Sequence, residues 1–118
     1  MKENIIKDKS YQFAVKVVRF YKYLIESKKE FIIAKQIIRS GTSIGAMVEE
    51  ANQAESKADF IHKLSIANKE ANETHYWIRL LIDSDIIDKE HLSLKNDCEE
   101  LMRLLTAILK STKANLKK

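Results

Sequence analysis

Residues 56–82 read SKADFIHKLSIANKEANETHYWIRLLI, and this stretch decides the fold. Small or apolar residues recur in it at alternating steps of four and three, the spacing of one helix face packed against other helices. They are Phe60, Leu64, Ala67, Ala71, Thr74, Ile78 and Leu81. Ser56 precedes Asp59 by three residues, which is typical of a helix N-terminus because the hydroxyl accepts from early backbone amides. The stretch predicts one long helix that begins after Ser56 and ends near residues 83–85.

Three further stretches show the same helical period. The first covers about residues 10–27 and the second about residues 30–54. The last is predicted to begin after Asp88, because aspartate is a favoured N-cap residue. The apolar positions of the second stretch are Ala34, Ile37, Gly41, Ile44, Val48 and Ala51, and those of the last are Leu94, Cys98, Leu101, Leu105 and Ile108.

Four long helices with short connections pack most simply as antiparallel neighbours. We therefore predict an all-α fold, an antiparallel up-down-up-down four-helix bundle, as a single domain over residues 1–118. Residues 1–9 and 113–118 are expected to fray. The composition agrees, because the chain has no proline and only two glycines, and its 45% hydrophobic and 32% charged residues are the balance of a folded domain.

The cellular setting follows from the cysteine and from the hydropathy. Cys98 is the only cysteine and lies at an apolar helical position, so we expect a reduced core residue in an intracellular protein. The N-terminal residues lack an apolar stretch of signal-peptide type, and the longest uncharged run is residues 40–48. We expect a cytoplasmic protein without a membrane partner.

The net charge of +4 is unevenly distributed along the chain. Residues 1–39 hold ten Lys/Arg against four Asp/Glu, residues 40–100 hold six against thirteen, and residues 101–118 hold five against none. This polarity fits a nucleic-acid-binding surface, or basic outer helices that meet acidic middle helices of a neighbouring subunit. The basic candidates for nucleic-acid contact are Lys16, Arg19, Lys22, Lys110, Lys113, Lys117 and Lys118.

The sequence gives little support for an enzyme active site or a metal site. A di-metal bundle uses Glu-x-x-His pairs, and this chain has only two Asp-x-x-His pairs, Asp59 with His62 and Asp88 with His91. Both aspartates are better explained as N-caps, and the pairs should lie at opposite ends of the bundle, about 40 Å apart. No phosphate-binding glycine loop or nucleophile with a base at a readable spacing is present. We predict no catalytic residue, metal or cofactor.

The second and third helices carry residues suited to packing or assembly. Gly41 and Gly45 have the spacing that lets two helices approach closely, which we favour over a local kink. Counting helix levels places Arg39 opposite Glu70 and Glu73, so we predict an arginine–carboxylate contact, within the bundle or between subunits. The alternative is that all three charges are solvated.

The apolar surface of the third helix is wider than one bundle seam requires. The surplus predicts an oligomer interface, and it consists of Tyr76, Trp77, Leu80 and Ile82, which extend the apolar arc beyond the seam residues. The alternative is a wide stripe buried within one subunit. Ser40, which precedes the first glycine, is also predicted to have a structural role. The full predicted set of structural and assembly residues is Arg39, Ser40, Gly41, Gly45, Glu70, Glu73, Tyr76, Trp77 and Leu80.

Several motifs together resemble one family. They are RSGTSIG at residues 39–45, EEA at 49–51, SKADFIHKL at 56–64, IA at 66–67 and EANETHYW at 70–77. In these the chain resembles the four-helix bundle proteins encoded in intervening sequences of bacterial 23S ribosomal RNA genes. The resemblance implies a bacterial cytoplasmic protein that forms homopentameric rings. It also implies a distant similarity to the accessory variability protein of diversity-generating retroelements, which binds nucleic acid and a reverse transcriptase.

Three functional hypotheses follow. The first is a non-enzymatic homo-oligomer, a pentamer by the resemblance, whose basic surfaces contact RNA or DNA. The second is a structural scaffold that recruits a protein partner without nucleic acid. The third is a metal-dependent enzyme, which the missing ligand motifs disfavour.

Overall fold

The computed structural model of the chain describes residues 2–116. They form four α-helices, α1 (Lys2–Glu26), α2 (Ile32–Asn52), α3 (Lys57–Asp83) and α4 (Leu92–Leu116), with a short 3₁₀ helix, Lys89–His91, before α4. No β-strand occurs within this range. Each helix packs on its chain neighbours, and α4 also closes on α1, giving a rod of 51 × 21 × 21 Å. The predicted all-α four-helix bundle is confirmed.

The core is built from the predicted seam positions. In α3, Leu64, Ala67, Ala71, Ile78 and Leu81 are buried. They lie on one face because their alternating steps of four and three follow the turn of the helix. The bundle therefore encloses one continuous apolar core, to which all four helices contribute.

The outer helices are longer than the sequence predicted. α1 begins at Lys2 rather than near Ser10, because Ile6, four residues before Ser10, extends the same buried face and is 2% exposed. The described backbone is therefore helical from Lys2 onward, and the expected fraying of residues 1–9 stays a prediction. α4 likewise continues to Leu116, and Thr112 Oγ1 donates to the Ile108 carbonyl at 2.8 Å within it.

Of the two helix caps predicted from the sequence, one is confirmed and one is wrong. Ser56 caps α3, since its hydroxyl accepts from the Asp59 amide at 3.1 Å. Asp88 was predicted to cap α4, but its side chain makes no capping hydrogen bond. Its carbonyl instead accepts from the His91 amide at 3.1 Å, because a 3₁₀ turn is inserted before α4. Glu30 lies just outside α2, and its carboxylate accepts from the Ala34 amide at 2.9 Å.

Cys98 is a core residue, as predicted. Its thiol is buried and donates to the Ala71 carbonyl at 3.2 Å, which links α4 to α3. Burial raises the pKa of the Cys98 thiol to about 12. The thiolate, which is the reactive form, is therefore strongly disfavoured in the folded protein. None of the described helices combines the length and apolarity that a membrane span requires.

Candidate assembly surface

A buried polar contact joins α2 to α3 in the middle of the bundle. The hydroxyls of Ser40 and Thr74 lie 2.8 Å apart, and both residues are fully buried. Each hydroxyl also has a backbone carbonyl within reach on its own helix, Gln36 for Ser40 at 2.9 Å and Glu70 for Thr74 at 2.8 Å. Because the two buried oxygens meet only at this level, the contact favours one register of the two helices.

A charged cluster lies one residue away from this contact, on the surface. Arg39 forms an ion pair with Glu70 at 3.5 Å and a second, shorter one with Glu73. Glu73 also accepts a hydrogen bond from the indole nitrogen of Trp77 at 3.2 Å. The predicted arginine–carboxylate contact therefore forms within one subunit. It orients Trp77 as well, which the sequence did not indicate.

The two glycines allow α1 and α2 to approach closely. A Cβ atom at Gly41 would lie 2.8 Å from both methyl carbons of Val17, and one at Gly45 would lie 3.3 Å from the Ser10 carbonyl oxygen. Both glycines lie inside α2, which continues through them as regular helix. The predicted close packing is thus the role of these residues, and their partner is α1.

The apolar surplus on α3 forms an exposed ridge, which we call the aromatic ridge and define as Tyr76, Trp77 and Leu80. Tyr76 is 50% exposed and Leu80 36% exposed, while Trp77 is half-buried. The rings of Tyr76 and Trp77 meet edge to face, with centroids 5.0 Å apart. Arg79 lies beside the ridge, 6.0 Å from the Tyr76 ring centroid. The ridge is therefore a rigid apolar surface with a cation at its side.

A second apolar surface escaped the sequence analysis. A shallow groove of about 390 Å³ runs between α1 and α2, which we call the α1–α2 groove. It is lined by Tyr11, Ala14, Thr42, Gly45, Ala46 and Glu49. The groove exists because small side chains face each other where the two helices approach. The uncharged run at residues 40–48 was the available signal, but periodicity alone gave no reason to place it at a surface.

The predicted nucleic-acid residues do not form one surface. Lys9 pairs with Glu100 at 3.2 Å, which places these two residues at the same height. Arg19 lies ten residues beyond Lys9 in one axial direction and Lys110 ten residues beyond Glu100 in the other. At ~1.5 Å per residue they are separated by about 30 Å along the bundle. Two basic regions therefore lie toward opposite ends.

The individual cations differ in their surroundings. Lys16 pairs with Asp97 of α4 at 2.7 Å, so its charge is partly neutralised. Arg19 and Lys22 lie exposed on α1, and Lys110 and Lys113 lie exposed on α4. The last two candidates, Lys117 and Lys118, lie outside the described residues.

The expected acidic middle helices are not found. Within their observed bounds, α2 holds two basic and two acidic residues, and α3 holds four of each. The acidic residues instead concentrate around the α3–α4 connection and in the first half of α4. Two of these carboxylates face α1, as the Lys9–Glu100 and Lys16–Asp97 pairs show. Part of the charge polarity along the sequence is therefore compensated inside one subunit.

The histidines are placed without a shared metal site. Asp59 and Asp88 lie at opposite ends of the rod, as predicted from the topology. Over the described part of the chain, no group of three or more His, Cys, Asp or Glu side chains is arranged to hold a metal ion. His75 has a partner that helical spacing could not reveal, because its Nε2 lies 2.8 Å from Glu99 Oε2 on α4. This hydrogen bond lowers the pKa of Glu99.

Comparison with known proteins identifies the family. The profile of the 23S rRNA-intervening sequence proteins matches residues 2–107. The chain belongs to this family. Among curated proteins none matches this intervening-sequence protein.

A solved relative supports both the assignment and the fold. It is a protein of unknown function from the S23 ribosomal protein family of Bacteroides thetaiotaomicron, determined as a crystal structure. It is 56% identical in sequence and superposes on this intervening-sequence protein with a TM-score of 0.91, covering 93% of this chain and 99% of its own. The resemblance read from the motifs in α2 and α3 is therefore confirmed over nearly the full chain, including α1 and most of α4.

Proposed function

We propose that this intervening-sequence protein acts as a non-enzymatic, cytoplasmic homo-oligomer, a ring of five subunits, and that the aromatic ridge lies in the contact between subunits. The observation that carries the proposal is the exposure of Tyr76 and Leu80 beside the half-buried Trp77. Large apolar side chains grouped on a surface are typical of protein interfaces, whose centres are enriched in aromatic residues. The Arg39 and Glu73 contact favours this role, because it holds Trp77 in one orientation before assembly.

The oligomeric state tests this proposal directly. Sedimentation velocity and light scattering should give a mass five times the subunit mass of 13.7 kDa. Leu80→Glu should dissociate the assembly, because a carboxylate would be buried without a partner. The matched control is Ile5→Glu, since Ile5 is 43% exposed and Leu80 36%, and Ile5 lies near the start of α1, at the end of the bundle opposite to Leu80. A monomeric wild-type protein would refute self-association.

Nucleic-acid contact is the second part of the proposal. Arg19 and Lys22 are its best candidates, because both are exposed on the same stretch of α1, whereas Lys16 is already paired with Asp97. A ring would repeat this pair around its circumference, so weak phosphate contacts would add up on one long strand. A single subunit would then bind RNA or DNA far more weakly than the assembled protein.

Binding to labelled RNA and DNA at low salt tests this part, since phosphate contacts are strongest there. The double variant Arg19→Glu with Lys22→Glu should lose binding and remain assembled. Lys69→Glu makes a charge change of the same kind on α3 and should bind normally. Capture of one specific protein with no bound nucleic acid would favour the alternative, a scaffold for a protein partner.

A further inference from the structure

We propose that the aromatic ridge of one subunit inserts into the α1–α2 groove of a second copy, so that the two surfaces are the two halves of one head-to-tail interface. This inference rests on the proposed self-association and adds the identity of both contacting surfaces. The groove can admit a side chain from a second copy, because Ala14, Gly45 and Ala46 leave room where larger side chains would close it.

The two surfaces have the forms of a ridge and a groove on helices. The ridge presents a phenol ring and a leucine side chain from consecutive turns of α3, since Tyr76 and Leu80 are four residues apart. The α1–α2 groove offers about 390 Å³ between two helices, with Tyr11 and Thr42 among its lining residues. A helix ridge that packs into the groove between two helices is the ordinary geometry of helix packing.

The charges beside the two surfaces are complementary. Glu49 lines the groove, and its side chain is 55% exposed with only a distant ion pair to Lys7 at 4.0 Å. Arg79 lies beside the ridge, 6.0 Å from the Tyr76 ring centroid. Insertion of Tyr76 therefore brings a cation of one subunit toward a carboxylate of the next. Such a pair at the rim contributes orientation more than affinity.

The positions of the two surfaces on different helices favour a closed ring or a filament over a simple dimer. The ridge is on α3 and the groove is between α1 and α2, so each subunit carries one donor surface and one acceptor surface. An interface between different surfaces is heterologous, and it closes into a ring when the rotation between subunits divides the circle. The proposed pentamer is one such ring.

The heights of the two surfaces set the inclination of the subunits. Ser40 and Thr74 lie at the same level. Gly45, in the groove, is five residues beyond Ser40 along α2. Tyr76, where the ridge begins, is two residues beyond Thr74 along α3, which runs in the opposite axial direction. The ridge centre and the groove centre are therefore about nine residues apart in height, or roughly 14 Å. In a closed ring, the ridge of one subunit and the groove of the next must lie at the same height along the ring axis. The long axis of each bundle must therefore be inclined to the ring axis.

Complementation between two variants provides the decisive experiment. Ala46→Arg fills the groove and leaves the ridge intact, while Leu80→Glu spoils the ridge and leaves the groove intact. Each variant alone should be monomeric. When the two are mixed, the intact ridge of the first meets the intact groove of the second, and the mixture should contain a heterodimer and nothing larger. Ala114→Arg is the matched control on α4, where alanine is also exposed, and should assemble like the wild type.

The outcomes separate this inference from the proposal beneath it. A wild-type protein that is monomeric would overturn both. A wild-type oligomer that persists in Ala46→Arg, or two monomeric variants that fail to form a heterodimer, would overturn only the ridge-in-groove contact. Circular dichroism melting of each variant verifies folding, and both substitutions are at exposed helical positions. As an independent measurement, Ala46→Cys mixed with Tyr76→Cys should give an oxidised cross-link between positions 46 and 76, identified by mass spectrometry.

Discussion

The side-chain oxygens of Ser40 and Thr74 lie 2.8 Å apart in the interior of the bundle, where both residues are completely buried. The core around them is otherwise almost entirely apolar, with Ser10 as the other buried polar residue among those described. A sliding movement of α3 along α2 would separate the two oxygens, and each hydroxyl would keep only the carbonyl on its own helix. The pair therefore opposes alternative registers of two helices whose seams are regular enough to fit in more than one way.

We predict that Thr74→Val destabilises the protein by about 1 kcal/mol, measured by urea unfolding. Ser40→Ala should cost a similar amount. The double variant should cost less than the sum, because the two hydroxyls stabilise each other. Thr112→Val is the control, since Thr112 bonds only within α4, to the Ile108 carbonyl. Strictly additive changes at 40 and 74 would show that the two side chains are energetically independent.

Gly41→Ala should destabilise the fold even though alanine is the better helix former. The new methyl group would lie 2.8 Å from two carbons of Val17, which is fully buried and cannot move aside. Overpacking of this kind costs about 1–3 kcal/mol. In a Val17→Ala background the two methyl carbons are absent and only the Cβ of residue 17 remains, at 3.3 Å, so the same glycine change should cost much less. If Gly41→Ala has the same effect in both backgrounds, the close approach to Val17 is not its cause.

Glu99→Gln should reduce stability at neutral pH and matter less in acid. The hydrogen bond from His75 lowers the pKa of Glu99 in the folded state below its ordinary value of 4.5, with a smaller contribution from Lys95. A lowered carboxyl pKa stabilises the fold above the unfolded pKa, and that contribution is lost as the pH falls through the folded pKa. The difference in melting temperature between wild type and variant should therefore be greatest above pH 4.5 and shrink below it. Glu55→Gln, in the exposed α2–α3 connection, should show no such pH dependence.

Cys98 should resist alkylation in the folded protein. With a thiol pKa of about 12, roughly one thiol in ten thousand is ionised at pH 8, and burial further hinders the reagent. Iodoacetamide followed by mass spectrometry should leave the native protein unmodified and label it fully in urea. An Ala114→Cys variant should gain one rapid modification under native conditions, because that position is exposed. Rapid labelling of the wild type would indicate local opening of α4.

The sequence predicted the bundle because its information is periodic. The seam of α3 repeats every three and four residues, and each of those positions from Leu64 to Leu81 is buried. Arg39 could be placed opposite Glu70 and Glu73 by counting rises along two antiparallel helices. Ser56 could be recognised as a cap because its role depends only on residues within one helical turn.

The unpredicted features depend on the relative heights and spacing of packed helices, which the periodic pattern of one helix does not give. His75 and Glu99 meet across α3 and α4, where the 3₁₀ turn at residues 89–91 changes the level of every later residue. The same inserted turn explains why Asp88 does not cap α4. The α1–α2 groove was missed because it arises from the absence of large side chains. A hydrophobic pattern records which residues fill space and gives little sign of where space is left.

Trp77 gives the protein an intrinsic optical reporter. It is the only tryptophan in the chain, and its indole nitrogen donates to Glu73 at 3.2 Å while its ring contacts Tyr76. The wavelength of its fluorescence emission maximum therefore depends on the water around the ridge, and its emission intensity depends on the neighbouring carboxylate and phenol. Anything that covers this surface should change the ultraviolet fluorescence of the unmodified protein, so assembly can be followed in real time without a dye.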